Sequence, residues 1–166
     1  MNRKTLLLAI LNLTLSPLFI NCGATESTEG CPQLEYVGSG PIPTNFTSNQ
    51  QLLSIDVIYP AYEKGEKFVF IDARPPSDYK IDHIKDAISL PFYDAERCAP
   101  SLPSNAWYVT YCACPHNESQ HAAEALEKAG FKNVWVLDEG YLEWKKRGYP
   151  ITPPKREIHE NSTLDS

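Results

Sequence analysis

Four short apolar runs lie in the middle of the chain, between about residue 67 and residue 137. Each is nearly continuous in apolar side chains, which is typical of a strand covered on both faces of a sheet. In the third run, alternation places Trp107, Val109 and Tyr111 on one face. The runs are KFVFIDAR from Lys67, AISLPF from Ala87, NAWYVTYC from Asn105 and NVWVL from Asn133.

Segments with helical spacing separate these runs. NQQLLSIDVIYPAYEKGE precedes the first run, and we expect Pro60 to break or kink this helix. SDYKIDHI has Ser77 as a good N-cap, and SQHAAEALEKAG has Ser119 as its cap and Gly130 as its stop. GYLEWKKRG is the last helix and ends at Gly148. The buried stripe of the SQHAAEALEKAG helix is predicted to be Ala122, Ala123, Leu126 and Ala129.

The alternation of strands with helices predicts the fold class. It indicates a single α/β domain over residues 49–151, with a small parallel sheet and helices on both faces. In such sheets, ligands bind beyond the carboxyl ends of the strands. The third strand ends in Cys112, which is therefore the first candidate functional residue.

Residues 1–21 have the layout of a secretory signal, with Arg3 and Lys4 before an apolar run. The uncharged stretch is 17 residues long and includes polar side chains, whereas a membrane span needs about 20 apolar residues. It ends in LFINCG, which resembles a bacterial lipoprotein signal with Cys22 lipidated, although Asn21 stands where a small residue is usual. The resemblance implies a lipid-anchored protein of the bacterial cell envelope that faces the periplasm or the exterior. Ordinary secretion with cleavage nearby is the alternative.

The flanks of the domain differ from it in composition. Residues 22–48 are rich in Gly, Ser, Thr and Pro and predict a tether, and the polar residues 152–166 predict a disordered tail. Residues 1–21 carry two basic and no acidic side chains, so their removal changes the net charge from −6 to −8. An acidic domain without basic clusters argues against nucleic acid as a partner.

Export implies an oxidising compartment, in which disulfides persist. If Cys22 is lipidated, four cysteines remain, and they allow three pairings. We favour a bond between Cys31 and Cys98, because it leaves Cys112 and Cys114 together and would tie the N-terminal arm to the domain.

The position of Cys112 suits nucleophilic chemistry. A side chain between a strand end and a helix start faces the N–H groups of the first helical turn and the positive end of the helix dipole. Both favour an anion, and the thiolate is the nucleophilic form of cysteine. The same N–H groups would hold the outer sulfur of a persulfide or an oxyanion of the substrate.

Separated motifs, in order, resemble a rhodanese domain from Phe68 to Ile151. FIDARPPSDYKIDHIKDAISLPF is similar to the family's Asp-x-Arg stretch, and WYVTYC to the strand that presents the sulfur-carrying cysteine. AGFKNVWVLDEGYLEWKKRGYPI is similar to the closing segment of the family. The resemblance implies sulfur transfer through a persulfide on Cys112, without a cofactor, from a small sulfur donor or a persulfidated protein. The matching positions are Asp72, Arg74, Tyr79, His83, Ile84, Ala87, Pro91, Cys112, Gly140, Trp144, Gly148 and Pro150.

The loop departs from the family pattern, which has a cysteine, four residues, then Arg and Ser or Thr. Ser119 comes one residue later here, no arginine is present, and Glu118 precedes the serine. Phosphatases of this fold have a longer loop but need the arginine for phosphate, so the sequence argues against phosphatase activity. It also disfavours thiosulfate, a dianion, and favours a neutral or protein-bound donor. The loop residues after Cys112 are Ala113, Cys114, Pro115, His116, Asn117, Glu118 and Ser119.

Two other hypotheses use the same loop. A rhodanese-fold binding or redox-sensing module would use Cys112 and Cys114, because a disulfide between such close cysteines is strained and labile. A metal site would add His116 and His121 to these two thiolates. Four convergent ligands would conflict with the anion-binding shape of the loop, so we prefer sulfur transfer and predict no metal.

Three further residues receive supporting roles. His83 falls at the helix-to-strand join of the family pattern, which implies a structural histidine and not a catalytic base. Asp72 and Arg74 are expected to hold the underside of the loop by hydrogen bonds.

Overall fold

A computed structural model of the chain describes residues 28–34, 39–47, 51–113 and 115–153. The predicted signal segment, Cys22, Cys114 and most of the predicted tail lie outside the described residues. No helix in the described part of the chain has the length and apolar character needed to cross a bilayer. The strands are β1 (Leu52–Leu53), β2 (Val69–Asp72), β3 (His83–Ile84), β4 (Ile88–Ser89), β5 (Tyr108–Tyr111), β6 (Val134–Leu137) and β7 (Ile151–Thr152). The helices are α1 (Ile55–Glu63), α2 (Pro76–Ile81), α3 (Ala95–Cys98), α4 (Asn117–Lys128) and α5 (Gly140–Lys146).

Five strands form one parallel sheet in the order β1-β6-β5-β2-β4. Strands β3 and β7 form a separate antiparallel pair. The sheet confirms the predicted α/β fold. Because all five strands run in one direction, their carboxyl ends share one edge, and β5 is the central strand of that edge.

Two apolar cores cover the two faces of the sheet. One core joins α1 and α5 to alternate side chains of the strands, such as Phe70, Val109 and Leu137. The other joins α3 and α4 to the intervening ones, such as Ile71 and Val136. The strands therefore need apolar residues at every position, which explains their continuous apolar runs.

The segment before the first predicted strand contains two elements where the sequence predicted one. Leu52 and Leu53 extend the sheet beside β6, and Ser54 then caps α1 by accepting a hydrogen bond from the backbone of Asp56. Glu139 completes this cap, since its carboxylate accepts hydrogen bonds of 2.7 Å from the Ser54 hydroxyl and from the Ile55 N–H. Pro60 was predicted to break or kink this helix; the break is excluded, because α1 continues through Pro60 to Glu63.

The predicted helix caps also need correction. Pro75 and not Ser77 is the N-cap of α2, and Pro76 occupies the first turn, where a missing N–H costs no hydrogen bond. Ser119 lies in the first turn of α4, whose N-cap is His116. Ala129 is exposed because α4 ends at Lys128.

The N-terminal arm is bound to the domain. Cys31 and Cys98 form a disulfide, with 5.3 Å between their Cα atoms, which is the pairing that the sequence analysis favoured. Farther along, Phe46 is 5% exposed in the core, and the Gly40 N–H donates to the Gly65 carbonyl oxygen. A Cβ on Gly40 would lie 2.5 Å from that oxygen, so the close approach requires glycine. The folded unit therefore begins before residue 49, inside the predicted tether.

A buried ion pair lies where β2 ends. Asp72 is fully buried and Arg74 is 5% exposed. The Arg74 Nη2 lies 2.6 Å from Asp72 Oδ2 and also donates to the Asp82 carbonyl. Tyr111, the last residue of β5, donates its hydroxyl proton to Asp72 Oδ2 at 2.8 Å and accepts from the Ile84 N–H. This network fixes the end of β5 immediately before Cys112.

The Tyr111 hydroxyl and the Arg74 guanidinium of this network keep their protons over a wide pH range. Burial and the neighbouring Asp72 carboxylate raise the pKa of Tyr111 well above its usual value, so the hydroxyl remains a donor. Burial disfavours the charged form of Arg74, but the hydrogen bonds and charge of Asp72 outweigh it and raise the pKa of Arg74. Arg74 also lies over the Tyr141 ring, 4.1 Å from its centroid.

Replacing Cys31 with serine should lower the free energy of unfolding by about 2–4 kcal/mol, because the bond closes a long loop in the unfolded chain. Urea unfolding with and without reductant measures the change. Reductant should destabilise the wild type by a similar amount and leave Cys31→Ser unaffected. Equal effects on both proteins would show that the disulfide contributes nothing.

Asp72→Ala should destabilise the fold by about 3–5 kcal/mol, because it leaves the Arg74 charge buried without its carboxylate. Tyr111→Phe should cost about 1–3 kcal/mol, because it leaves the Ile84 N–H unpaired. Urea unfolding again provides the measurement. A smaller loss for Asp72→Ala than for Tyr111→Phe would contradict this ranking.

Candidate active site

Cys112 follows β5 directly and begins the loop that leads to α4. The residue is 2% exposed, and its Sγ lies 3.3 Å from the Oγ of Ser119. Ser119 is fully buried, and its carbonyl oxygen accepts a 2.8 Å hydrogen bond from the Thr110 hydroxyl. The structure thus brings together Cys112 and Ser119, the two ends of the loop that the sequence analysis described. Ser119 contacts the cysteine sulfur, whereas the sequence pattern suggested a helix cap.

The first half of the loop is bound to the start of α5. The Tyr141 N–H donates to the Cys112 carbonyl oxygen at 2.8 Å, and the Leu142 N–H donates to the Ala113 carbonyl oxygen at 3.1 Å. These N–H groups belong to the first turn of α5, where a helix offers no carbonyl partner of its own. The same contacts therefore complete α5 and fix the backbone that carries the thiol.

The second half of the loop is held by a side chain. His116 is the N-cap of α4 and has the left-handed φ of 61°. Its Nε2 lies 2.8 Å from Oδ1 of Asp138, the residue that follows β6. The contact has the distance of an ion pair but not the alignment of a hydrogen bond. The sequence analysis did not identify Asp138 as a site residue. Its position directly after a strand that neighbours β5 could have indicated it.

The charges around the loop are mainly acidic. Glu118 is partly buried in the first turn of α4, and Asp138 lies beside His116. Arg74 is committed to Asp72 and to the Asp82 carbonyl beneath the sheet edge. Asp72 and Arg74 therefore hold the end of β5 through Tyr111 and not the loop itself, and their predicted role beneath the loop stays a prediction.

The other predicted residues lie apart from the sulfur chemistry. The Nδ1–H of His83 donates to the Tyr79 carbonyl oxygen at 2.8 Å, and the His83 ring stacks on the Tyr79 ring with centroids 3.7 Å apart. His121 is exposed beside Phe92. Within the described residues, no group of three or more His, Cys, Asp and Glu side chains is arranged to hold a metal ion. The metal and redox hypotheses both need Cys114, which lies outside those residues.

A groove of about 730 Å³ follows the outer side of β4, at the edge of the sheet. Gly30, Pro32 and Gln33 of the disulfide-bound arm line it on one side. Pro76 and Pro91 also line it, whereas Cys112 and the described residues of its loop do not. The groove therefore lies apart from the thiol, since β2 separates β4 from the strand that carries Cys112.

Comparisons with known proteins agree with this architecture. The family model of the rhodanese-like domain matches residues 60–147, more than half of the chain. The chain is 35% identical over 89 residues to the uncharacterized protein slr1261 of Synechocystis, covering 52% of this chain and 48% of that protein. It is 30% identical over 90 residues to the probable adenylyltransferase/sulfurtransferase MoeZ of Mycobacterium tuberculosis, covering 53% of this chain and 23% of that protein. The chain thus spans about half or less of the length of these curated relatives.

Solved structures provide the same identification. The rhodanese-like domain of the Alr3790 protein from Anabaena superposes with a TM-score of 0.58 at 27% identity, covering 70% of this chain and 87% of that domain. The BH2092 protein from Bacillus halodurans superposes with a TM-score of 0.58 at 26% identity, covering 69% of this chain and 87% of that chain. By its sequence match, its parallel sheet and these neighbours, the chain belongs to the rhodanese-like domain family.

Proposed function

We propose that this protein is a sulfurtransferase that passes sulfane sulfur through a persulfide on Cys112. The observation that carries the proposal is the position of Cys112 between the end of the central strand and the start of α4, with Ser119 Oγ 3.3 Å from its sulfur. Distant relatives named as sulfurtransferases, in yeast and in Mycobacterium tuberculosis, support it.

The chemistry has two displacement steps. The Cys112 thiolate attacks the outer sulfur of a donor persulfide, the donor S–S bond breaks, and the donor leaves as a thiolate. An acceptor thiolate then attacks the outer sulfur on Cys112 and releases the Cys112 thiolate. Each step forms one S–S bond and breaks another, so the cycle needs no external oxidant or reductant.

Two features of the described site would favour the anionic sulfur. The twelve-residue helix α4 points its N-terminal end at the loop, and its dipole stabilises negative charge there. The Ser119 hydroxyl is within reach of Sγ and can donate a hydrogen bond to the thiolate. Both groups are fixed before a donor arrives, so they need no rearrangement during attack.

The charges around the loop favour one class of donor. Glu118 and Asp138 would repel thiosulfate, and no lysine or arginine occurs from Cys112 to Ser119. A low-molecular-mass persulfide or a protein persulfide carries less negative charge at the transferred sulfur.

Intact-protein mass spectrometry tests the sulfur carrier. The reduced protein is exposed to thiosulfate and, separately, to glutathione persulfide, beside Cys112→Ser and Cys114→Ser. We expect a gain of one sulfur atom, about 32 Da, from the persulfide and little from thiosulfate, because a dianion is repelled by the acidic loop. The gain should persist in Cys114→Ser and disappear in Cys112→Ser.

Two outcomes would overturn the assignment. Retention of the added sulfur in Cys112→Ser would place the carrier elsewhere. An absence of any adduct, together with joined loop cysteines or bound metal, would favour the redox or metal hypothesis.

We also propose that the domain is exported and held at a bacterial membrane by a lipid on Cys22, as LFINCG suggests. Cys22→Ser should move the protein from the membrane fraction of its native host to the soluble envelope fraction, because the lipid would be the anchor. Fractionation with immunodetection measures the shift. A soluble wild type, or membrane retention of Cys22→Ser, would contradict the anchor.

A further inference from the structure

The loop that carries Cys112 is attached to one neighbouring turn by two different kinds of contact. Its first half is held by backbone hydrogen bonds to Tyr141 and Leu142. Its second half is held by the 2.8 Å contact between the His116 imidazole and the Asp138 carboxylate, which is an ion pair when the imidazole is protonated. Asp138 lies in the connection between β6 and α5, and Tyr141 and Leu142 lie in the first turn of α5. The backbone contacts survive side-chain replacement, whereas the ion pair depends on two residues.

The anchor of the ion pair is itself rigid. The Asp138 N–H donates to the Leu53 carbonyl oxygen of β1 at 3.0 Å. The next residue, Glu139, holds the N-terminus of α1 through Ser54 and Ile55. Asp138 is therefore fixed by its own backbone and by that of the next residue.

His116 occupies a costly backbone position. A left-handed φ is uncommon for a side chain other than glycine, although Asn, Asp and His adopt it more readily than most. Such a conformation persists where surrounding contacts impose it. The Gln120 N–H donates to the His116 carbonyl oxygen, so the same residue also directs the first turn of α4 and, with it, Ser119.

We propose that His116 and Asp138 form a latch that keeps the second half of the loop, from Pro115 to Ser119, in place beside Cys112 and so shields the sulfur it carries from small thiols. The effect on carried sulfur rests on the proposed sulfur transfer; the effect on access to Cys112 does not. Cys112 is only 2% exposed while the pair is in place. A small thiolate that reached the outer sulfur would form a new persulfide, release the Cys112 thiolate and waste the sulfur.

The exposure of the latch sets the size of the expected effect. The side chains of His116 and Asp138 are 30% and 43% exposed. An ion pair with partly exposed side chains changes the equilibrium constant between the closed and the open loop by up to about fivefold. Loss of the latch should therefore increase the open fraction of the loop by that factor without unfolding the protein.

The test uses four variants in a Cys114→Ser background. Asp138→Asn removes the negative charge, and Asp138→Glu retains it. His116→Asn removes the imidazole but keeps a residue that tolerates the left-handed φ. Asp56→Asn is the matched control, because it removes a different surface ion pair, with Arg147.

Two reaction rates and the thermal midpoint of unfolding are measured on the full chain. The first rate is alkylation of sulfur-free Cys112 by iodoacetamide, followed by peptide-resolved mass spectrometry. The second is the discharge of the loaded persulfide by 2-mercaptoethanol, followed as loss of about 32 Da. We expect Asp138→Asn and His116→Asn to raise both rates by about threefold to fivefold at an unchanged thermal midpoint. Asp138→Glu and Asp56→Asn should stay near the parent rates.

The outcomes separate the latch from the proposed function. Unchanged alkylation in Asp138→Asn and His116→Asn would overturn the latch, as would an equal rise in Asp56→Asn. A rise in alkylation that only follows a lower thermal midpoint would also overturn it. Faster alkylation in a protein that never takes up sulfur would support the latch and count against sulfur transfer.

Discussion

The buried pair of Asp72 and Arg74 is the constraint on which the rest of the site depends. A carboxylate and a guanidinium without water must satisfy each other and their remaining hydrogen-bonding groups. Their partners are the Tyr111 hydroxyl and the Asp82 carbonyl, so the pair joins the ends of β2 and β5 to the chain before β3. Because Tyr111 immediately precedes Cys112, the position of the thiol follows from the satisfaction of these charges.

Beyond that network, the loop has one rigid and one adjustable half. Backbone hydrogen bonds from α5 hold Cys112 and Ala113, and no side-chain substitution within the loop removes them. The half that ends at His116 depends on the partly exposed contact between its imidazole and the Asp138 carboxylate. In the proposed sulfur transfer, such a loop would keep its nucleophile in place while access to the sulfur varies.

The electrostatics of the site follow from the absence of an arginine in the loop. An arginine would offer a fork of donors to an inorganic oxyanion, whereas here the helix dipole, the Ser119 hydroxyl and backbone N–H groups are left to favour negative charge. These groups act over short distances and suit a single sulfur atom. Glu118 and Asp138 add negative charge near the loop, which in the proposed sulfur transfer would disfavour a dianionic donor.

The sequence by itself determined the periodic elements, the fold family and the place of Cys112 at a strand end, because these depend on local patterns and on order along the chain. Only the tertiary structure decided that Leu52 and Leu53 form a strand, since the strand that they pair with is β6, far along the chain. It also joined Cys31 to Cys98 and turned Ser119 toward the thiol. The contact between His116 and Asp138 could not be predicted from the sequence either, because the two residues are far apart along the chain. Asp138 reaches the loop through the parallel order of β5 and β6, and contacts between residues remote in the chain leave no period in the sequence.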